Sequence, residues 1–257
     1  MRWKSSEMSR LSGVLRGSAV LGFSAMALLT SAPAARASSI VLNGSFEDVG
    51  PATSSFSIDH LTALPDWSST SVSSNNLDCL MYAGDTTSLC GAAFGGGFSF
   101  WVNPGPSPDG GNFVGIDGDS NFSTPLTQTL NGLVIGTQYD VFFYQAAAQQ
   151  NGFNGTTTEQ WQVSLGSDDQ LSTLMNNANH GAVDWMSQTK TFTATATSEV
   201  LRFLAIGTPS GVPPFVLLDG VSVNASATAT PEPGTYALIG LGLLSIPFAR
   251  RLLKKRA

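Results

Sequence analysis

The apolar positions of this chain keep one rhythm from residue 38 to residue 226 and different ones at its two ends. In the long middle stretch they come in short alternating runs broken by Gly, Asn, Pro and Asp. No run sustains the 3.6-residue period of a helix, whereas alternation at period two is the mark of a strand with one buried face. Gln160–Leu165 alternates cleanly, with Trp161, Val163 and Leu165 on one face. Gln138–Gln145 places Tyr139, Val141 and Phe143 on one face and Phe142 and Tyr144 on the other, so both faces are expected to be covered. Lys190–Thr195 and Glu199–Ile206 are predicted to pair as a hairpin, and Val216–Val223 to close the domain. About eight to ten short strands joined by Gly- and Asn-containing turns predict an all-β domain, a β-sandwich rather than any α/β arrangement.

The ends read differently. Residues 1–37 start basic (Arg2, Lys4, Arg10, Arg16), continue through an apolar run from Ala19 to Leu29, and reach Ala35-Arg36-Ala37. That order is a secretory signal peptide with a small-x-small cleavage pattern, and its apolar run falls short of the roughly 20 residues a membrane span needs. At the other end, Pro231-Glu232-Pro233 precedes an apolar stretch from Tyr236 to Ala249 and a basic cluster, Arg250 to Arg256. Basic residues stay on the cytoplasmic side, so this tail predicts a short transmembrane segment with everything upstream outside. Residues 227–257 are therefore read as a linker, begun by the small residues of Ala225–Thr230, and a sorting signal.

Charge narrows the partners. Ten of the twelve basic residues lie in the two ends. From Ser38 to Thr230 only Lys190 and Arg202 oppose sixteen Asp and Glu, a balance of −14. A nucleic-acid partner needs a basic footprint and is excluded on that ground. Anionic membrane surfaces and polyanions are disfavoured unless a metal ion intervenes. Apolar residues make up 42% of the chain, enough to build a core.

The Pro-Glu-Pro tripeptide, the short Gly/Leu-rich span and the Arg-rich terminus together resemble the PEP-CTERM sorting signal of Gram-negative bacteria. That resemblance implies recognition by an exosortase-type membrane protease, inner-membrane anchoring before processing, and then a place at the cell surface or outside the cell. It also implies an exopolysaccharide and biofilm setting. In the middle domain, Asn43-Gly44-Ser45-Phe46-Glu47, Leu64-Pro65-Asp66-Trp67, Gly111–Asp117, Leu126–Leu130, Gly136–Tyr139 and Leu218–Val223 resemble, in that order, the galactose-binding-like jelly rolls of carbohydrate-binding modules. Two departures stand out: that family often has Gly where Asp66 stands, and the Cys79–Cys90 segment has no place in its pattern.

Few residues are suited to catalysis. His60 and His180 are the only histidines, and neither a G-x-S-x-G elbow nor an H-E-x-x-H pair is present. The expectation is a protein that is not an enzyme. Cys79 and Cys90, the only cysteines, are expected to form a disulfide in an oxidising exterior. The acid excess suits calcium, which takes six to eight hard oxygens. The jelly-roll resemblance implies such an ion where the first and last strands meet, held by Glu47 and Asp219. Asp117-Gly118-Asp119-Ser120-Asn121 spaces oxygens like the start of an EF-hand loop, but Phe122 replaces the glycine and the distal Glu is missing. Turn and cap hydrogen bonding is the other reading of these acids. Trp67, Trp161 and Trp185 are expected in the core, and Trp101 and Tyr82 are the candidate platforms for stacking on a sugar. The function expected is a non-catalytic binding module for a neutral polysaccharide. A structural matrix or adhesion protein without a small ligand is the alternative, and a secreted hydrolase the minor one.

Overall fold

A computed structural model describes residues 39–49, 64–69, 78–81 and 99–227. Among them run eleven strands: β1 Ser68–Ser69, β2 Asp78–Met81, β3 Phe113–Asp117, β4 Pro125–Asn131, β5 Gln138–Gln149, β6 Thr157–Leu165, β7 Asp168–Leu171, β8 Met175–Asn177, β9 Ala182–Thr193, β10 Ser198–Thr208 and β11 Pro214–Ala225. One sheet has the order β1-β4-β10-β6-β7, with β8 also paired to β6. The second has the order β2-β3-β11-β5-β9. All pairings are antiparallel. The fold is thus an all-β, two-sheet sandwich, as the alternation predicts.

The core lies between the sheets and comes from the period-two positions. Trp161 and Val163 of β6 and Leu201 and Phe203 of β10 face Val141 and Phe143 of β5 and Val216 and Leu218 of β11, all fully buried. Phe203 is at its centre, with ring centroids 5.2 Å from Phe143, 5.9 Å from Trp161 and 6.4 Å from Trp67. Each such ring contributes on the order of 2–3 kcal/mol by leaving water. A second apolar layer, Phe100, Phe113, Ala146, Ala148, Phe215 and Leu217, covers the outer face of the second sheet. That layer covers Ala146 and Ala148 of β5, whereas Phe142 and Tyr144, expected to be covered as well, are half-buried and pack edge to face on each other.

The predicted hairpin of residues 190–206 is not one. β9 belongs to the second sheet and β10 to the first, so the chain crosses between layers. The β4–β5 connection crosses at the same place, and the two arches bond to each other. Gly132 and Leu133 donate to the Thr197 carbonyl, Gly136 donates to Ala194, and Ala194 donates to Thr137. Glu199 fastens the second arch, accepting from the Thr195 and Ala196 amides and the Thr195 hydroxyl through one oxygen.

Three of the sequence motifs meet in one corner. Gly44 accepts from the Val221 amide at 2.9 Å, so closely that a Cβ on residue 44 would lie 2.0 Å from the Val221 carbonyl oxygen. The Asn43 side chain donates to the Asp48 and Pro65 carbonyls, and the Trp67 indole donates to the Asn43 carbonyl at 3.0 Å. Asp66 has φ +68°, a left-handed conformation that glycine adopts without strain. The family's glycine at that place has a physical reason here.

Candidate functional site

Glu47 and Asp219 lie at one place in the sandwich and Trp101 at another. The first is the corner where the opening segment meets β11, with Ile40 donating to the Val223 carbonyl at 3.1 Å. Here a bulge between Asp219 and Ser222 interrupts the β11–β5 register. Asp219 is wholly buried; its Oδ1 accepts from the Gly220 amide at 2.7 Å, and its Oδ2 has no partner. Burial pushes its pKa up to about 7, with the carboxylates of Asp109 and Glu47 adding to the rise. Ser107 and the Gly220 amide pull the other way. Glu47 Oε1 accepts from the Asn112 amide at 2.5 Å. Gly111, at φ +68°, makes room for it, since a Cβ there would lie 1.9 Å from that oxygen.

The structure thus brings Glu47 and Asp219 close enough to repel each other and adds Asp109, which the sequence reading did not single out. Among the described residues no three acidic, His or Cys side chains converge tightly enough to ligate one ion. Carboxylates alone do not complete a calcium shell. What fits calcium is the charge: an orphaned, buried Asp219 oxygen beside two further carboxylates.

The rival loop at Asp117–Asn121 is bound by the protein itself. Asp119 accepts from the Asn121 amide and side chain through Oδ1, and from the Ser210 hydroxyl and Gly211 amide through Oδ2. These donors hold its pKa below the usual carboxylate range against the opposing effect of burial, the largest single influence. The alternating oxygens therefore tie the β3–β4 loop to the β10–β11 loop. Asp117, in contrast, is buried with Oδ2 unpartnered, and desolvation pushes it up to about 7.

The second place is one end of the sandwich, where the segment before β3 meets the β5–β6 and β8–β9 loops. Trp101 donates its amide to Gln149 and its indole N–H to the Phe153 carbonyl at 2.9 Å. Its ring stacks on His180 at 4.0 Å between centroids, tilted by 29°. His180 has φ +60°, its amide donates to Gln149 Oε1 at 2.6 Å, and its Nε2 lies 2.6 Å from Asn154 Oδ1. Asn179 Oδ1 accepts from the Gly155 amide at 2.6 Å, and Asn151 donates to the Ser99 carbonyl. Trp101 remains 38% exposed and Phe153 37%. One face of the indole is taken by the imidazole and its N–H by the Phe153 carbonyl. Asn103, Asn151 and Asn154 are exposed around it.

Trp67 and Trp161 are buried in the core as expected. Trp185 is half-buried, packed on the outer layer and bonded through its indole to the Gly105 carbonyl. Cys79 stands in β2 opposite Gly115, while Cys90 and Tyr82 lie outside the described residues, as do the signal peptide, Pro231, Glu232, Pro233 and the apolar tail. The sequence does not reveal that His180 and Phe153 meet Trp101. The only signal for the first was the turn-forming tripeptide Asn179-His180-Gly181.

Comparison with known proteins adds a sorting signal. The family model described as the PEP-CTERM protein-sorting motif matches residues 229–256. The motif marks an exported chain that its C-terminus holds at the membrane before processing. No curated protein matches the chain. Among solved structures, TmCBM61 in complex with beta-1,4-galactotriose is similar at 12% identity and TM-score 0.43, over 74% of this chain and all of that one. A CBM4 structure is similar at 18% identity and TM-score 0.32, over 72% of this chain and 99% of that one. The Clostridium thermocellum xylanase 10B CBM22-1–GH10 modules with xylohexaose are similar at 12% identity and TM-score 0.35, over 63% of this chain and 26% of theirs.

Proposed function

We propose that the exported domain is a non-catalytic module that binds a neutral polysaccharide at the Trp101 end of the sandwich. The carrying observation is the exposed indole of Trp101, held flat on His180 and fixed by its N–H to Phe153. A pre-positioned aromatic face ringed by amide side chains is the chemistry that takes up a sugar ring: stacking on the apolar face, directional hydrogen bonds at the edge. The balance of −14 across the domain disfavours uronic acids and other anionic glycans. A small exposed site of this kind gives affinities in roughly the micromolar to millimolar range. In an exopolysaccharide or biofilm setting, many weak contacts along one polymer would retain the protein.

The same reading includes a calcium ion at the corner of Glu47 and Asp219. Bound there, it would supply the positive charge that the three carboxylates lack and pin the opening segment to β11. The test of the module is a glycan-array screen of the exported protein against neutral and acidic polysaccharides. Binding to a neutral glycan that Trp101→Ala removes supports the reading. No binding to any glycan favours the structural matrix or adhesion role instead.

A further inference from the structure

An asparagine followed by glycine can close its side chain onto the next main-chain nitrogen, because glycine has no Cβ to block the approach. The chain contains four such steps: Asn43-Gly44, Asn131-Gly132, Asn151-Gly152 and Asn154-Gly155. Ring closure needs two freedoms. The side-chain carboxamide must swing toward the glycine, and the glycine nitrogen must be free to lose its proton. The fold removes one or both at three of the four steps.

At Asn43, Oδ1 accepts from the Asp48 amide and Nδ2 donates to the Asp48 and Pro65 carbonyls, while Gly44 is packed against Val221. Asn131 Oδ1 accepts from the Ser198 hydroxyl at 2.9 Å, and the Gly132 amide donates to the Thr197 carbonyl at 2.9 Å. Asn154 Oδ1 lies 2.6 Å from His180 Nε2, and the Gly155 amide donates to Asn179 Oδ1 at 2.6 Å. Asn151 differs. Its main-chain amide is held by the Ser99 carbonyl at 2.7 Å, but its side chain makes a single long bond, Nδ2 to Ser99 Oγ at 3.4 Å. Neither Asn151 Oδ1 nor the Gly152 amide has a partner among the described residues, and both residues are exposed. A Cβ on Gly152, at φ +96°, would meet nothing within 4 Å, so no neighbour crowds the approach.

We propose that Asn151 is a site of self-modification, the Asn-Gly step that deamidates in the folded protein, and that the product loosens the hold on Trp101. The Gly152 nitrogen, its proton lost to hydroxide, bonds to Asn151 Cγ. The Cγ–Nδ2 bond breaks, and the nitrogen leaves as ammonia after taking a proton from water. Water then opens the cyclic imide at either carbonyl, giving aspartate or isoaspartate. Isoaspartate carries the main chain through its own Cβ. It therefore adds a methylene between residue 151, anchored on Ser99, and Phe153, whose carbonyl holds the Trp101 indole N–H at 2.9 Å. Either product also adds a negative charge at the end of the sandwich that bears Trp101. The chemistry stands on Asn151 and Gly152 and does not depend on glycan binding.

The experiment ages the exported protein at mildly alkaline pH, both native and in guanidinium chloride, and then maps asparagine, aspartate and isoaspartate in its peptides. Cleavage after Phe153 separates Asn151 from Asn154. In the native protein Asn151 is expected to convert about tenfold faster than Asn43, Asn131 and Asn154, which must wait for local opening. In guanidinium chloride the four should convert at similar rates, because the advantage belongs to the fold. In isotope-labelled protein the Trp101 indole N–H should gain a second resonance in step with isoaspartate. Asn151→Gln, aged alike, should keep a single one. Native conversion at Asn151 no faster than at the other three overturns the site, and so does an advantage that persists in guanidinium chloride. A Trp101 resonance unmoved in fully converted protein overturns the effect on the ring.

Discussion

Asp117 should make the domain lose stability as pH rises, the reverse of what surface carboxylates do. Its side chain is fully buried on β3; Oδ1 accepts from the Asp119 amide at 2.8 Å and Oδ2 has no partner. Burial, helped by the neighbouring Asp119 charge, raises its pKa from an ordinary 3.8 to about 7. Between those values the folded state keeps a proton that the unfolded chain has released, so raising the pH favours unfolding. The stabilisation is complete below 3.8 and lost as pH passes through about 7. At about 1.36 kcal/mol per pH unit, that interval is worth on the order of 4 kcal/mol. Asp117→Asn keeps the acceptor for Asp119 and carries no charge at any pH. It should match the wild type near pH 4 and exceed it by up to roughly 4 kcal/mol above pH 7. The assay is urea unfolding at several pH values between about 4.5 and 7.5, in choline buffer with chelator so that no bound cation masks a carboxylate. Glu159 and Asp219, also pushed up to about 7, leave part of the slope in the variant. Wild-type stability that is flat or rising across this window, or an unchanged slope in Asp117→Asn, would refute the reasoning.

Asp66→Gly should stabilise the domain by up to about 1 kcal/mol, because Asp66 is exposed at φ +68° and glycine removes the strain of that conformation; urea titration showing a loss would contradict this. Chelation should lower Tm, and Glu47→Gln should abolish the sensitivity, with calcium at a hundred times its Kd contributing about 2.7 kcal/mol; superimposable melts with and without chelator would remove the corner site. Replacing Pro231 and Glu232 with Ala should leave a longer form in the inner membrane, whereas wild-type exported protein should end near Pro231–Gly234; an intact mass that includes Ala257 in exported wild type would contradict processing.

Much of this architecture was legible because alternation is a local signal. Trp161, Val163 and Leu165 on one face, and Tyr139, Val141 and Phe143 on the inner face of β5, follow from period two alone. The opening motif, Trp67 and the Leu218–Val223 segment were readable as motifs, but their meeting at Asn43 and Gly44 depends on long-range hydrogen bonds that no local pattern encodes. The β9–β10 arch was misread for the same reason. A short turn between alternating runs fits a hairpin and a crossing between sheets equally well, and the choice is made by pairing with β4 and β5. His180 stands out in the sequence only as one of two histidines, and its place on Trp101 is hidden there because a left-handed turn, and not its chemistry, brings it to the ring. Glu159 is legible in the same alternation. Counting back by twos from Trp161 reaches Glu159 and then Thr157, so the alternation already placed a carboxylate in the interior.

The most direct test of the glycan reading is a titration of isotope-labelled exported protein with a neutral oligosaccharide, followed through the indole N–H resonances. Binding at the loop end predicts that the Trp101 signal shifts with saturation while the buried Trp161 signal, bonded to the Leu217 carbonyl, stays in place. Saturable shifts of Trp185 without Trp101 would move the ligand to the outer face of the second sheet and contradict the site. No shift of any indole with glycans that bind by other measures would contradict it as well.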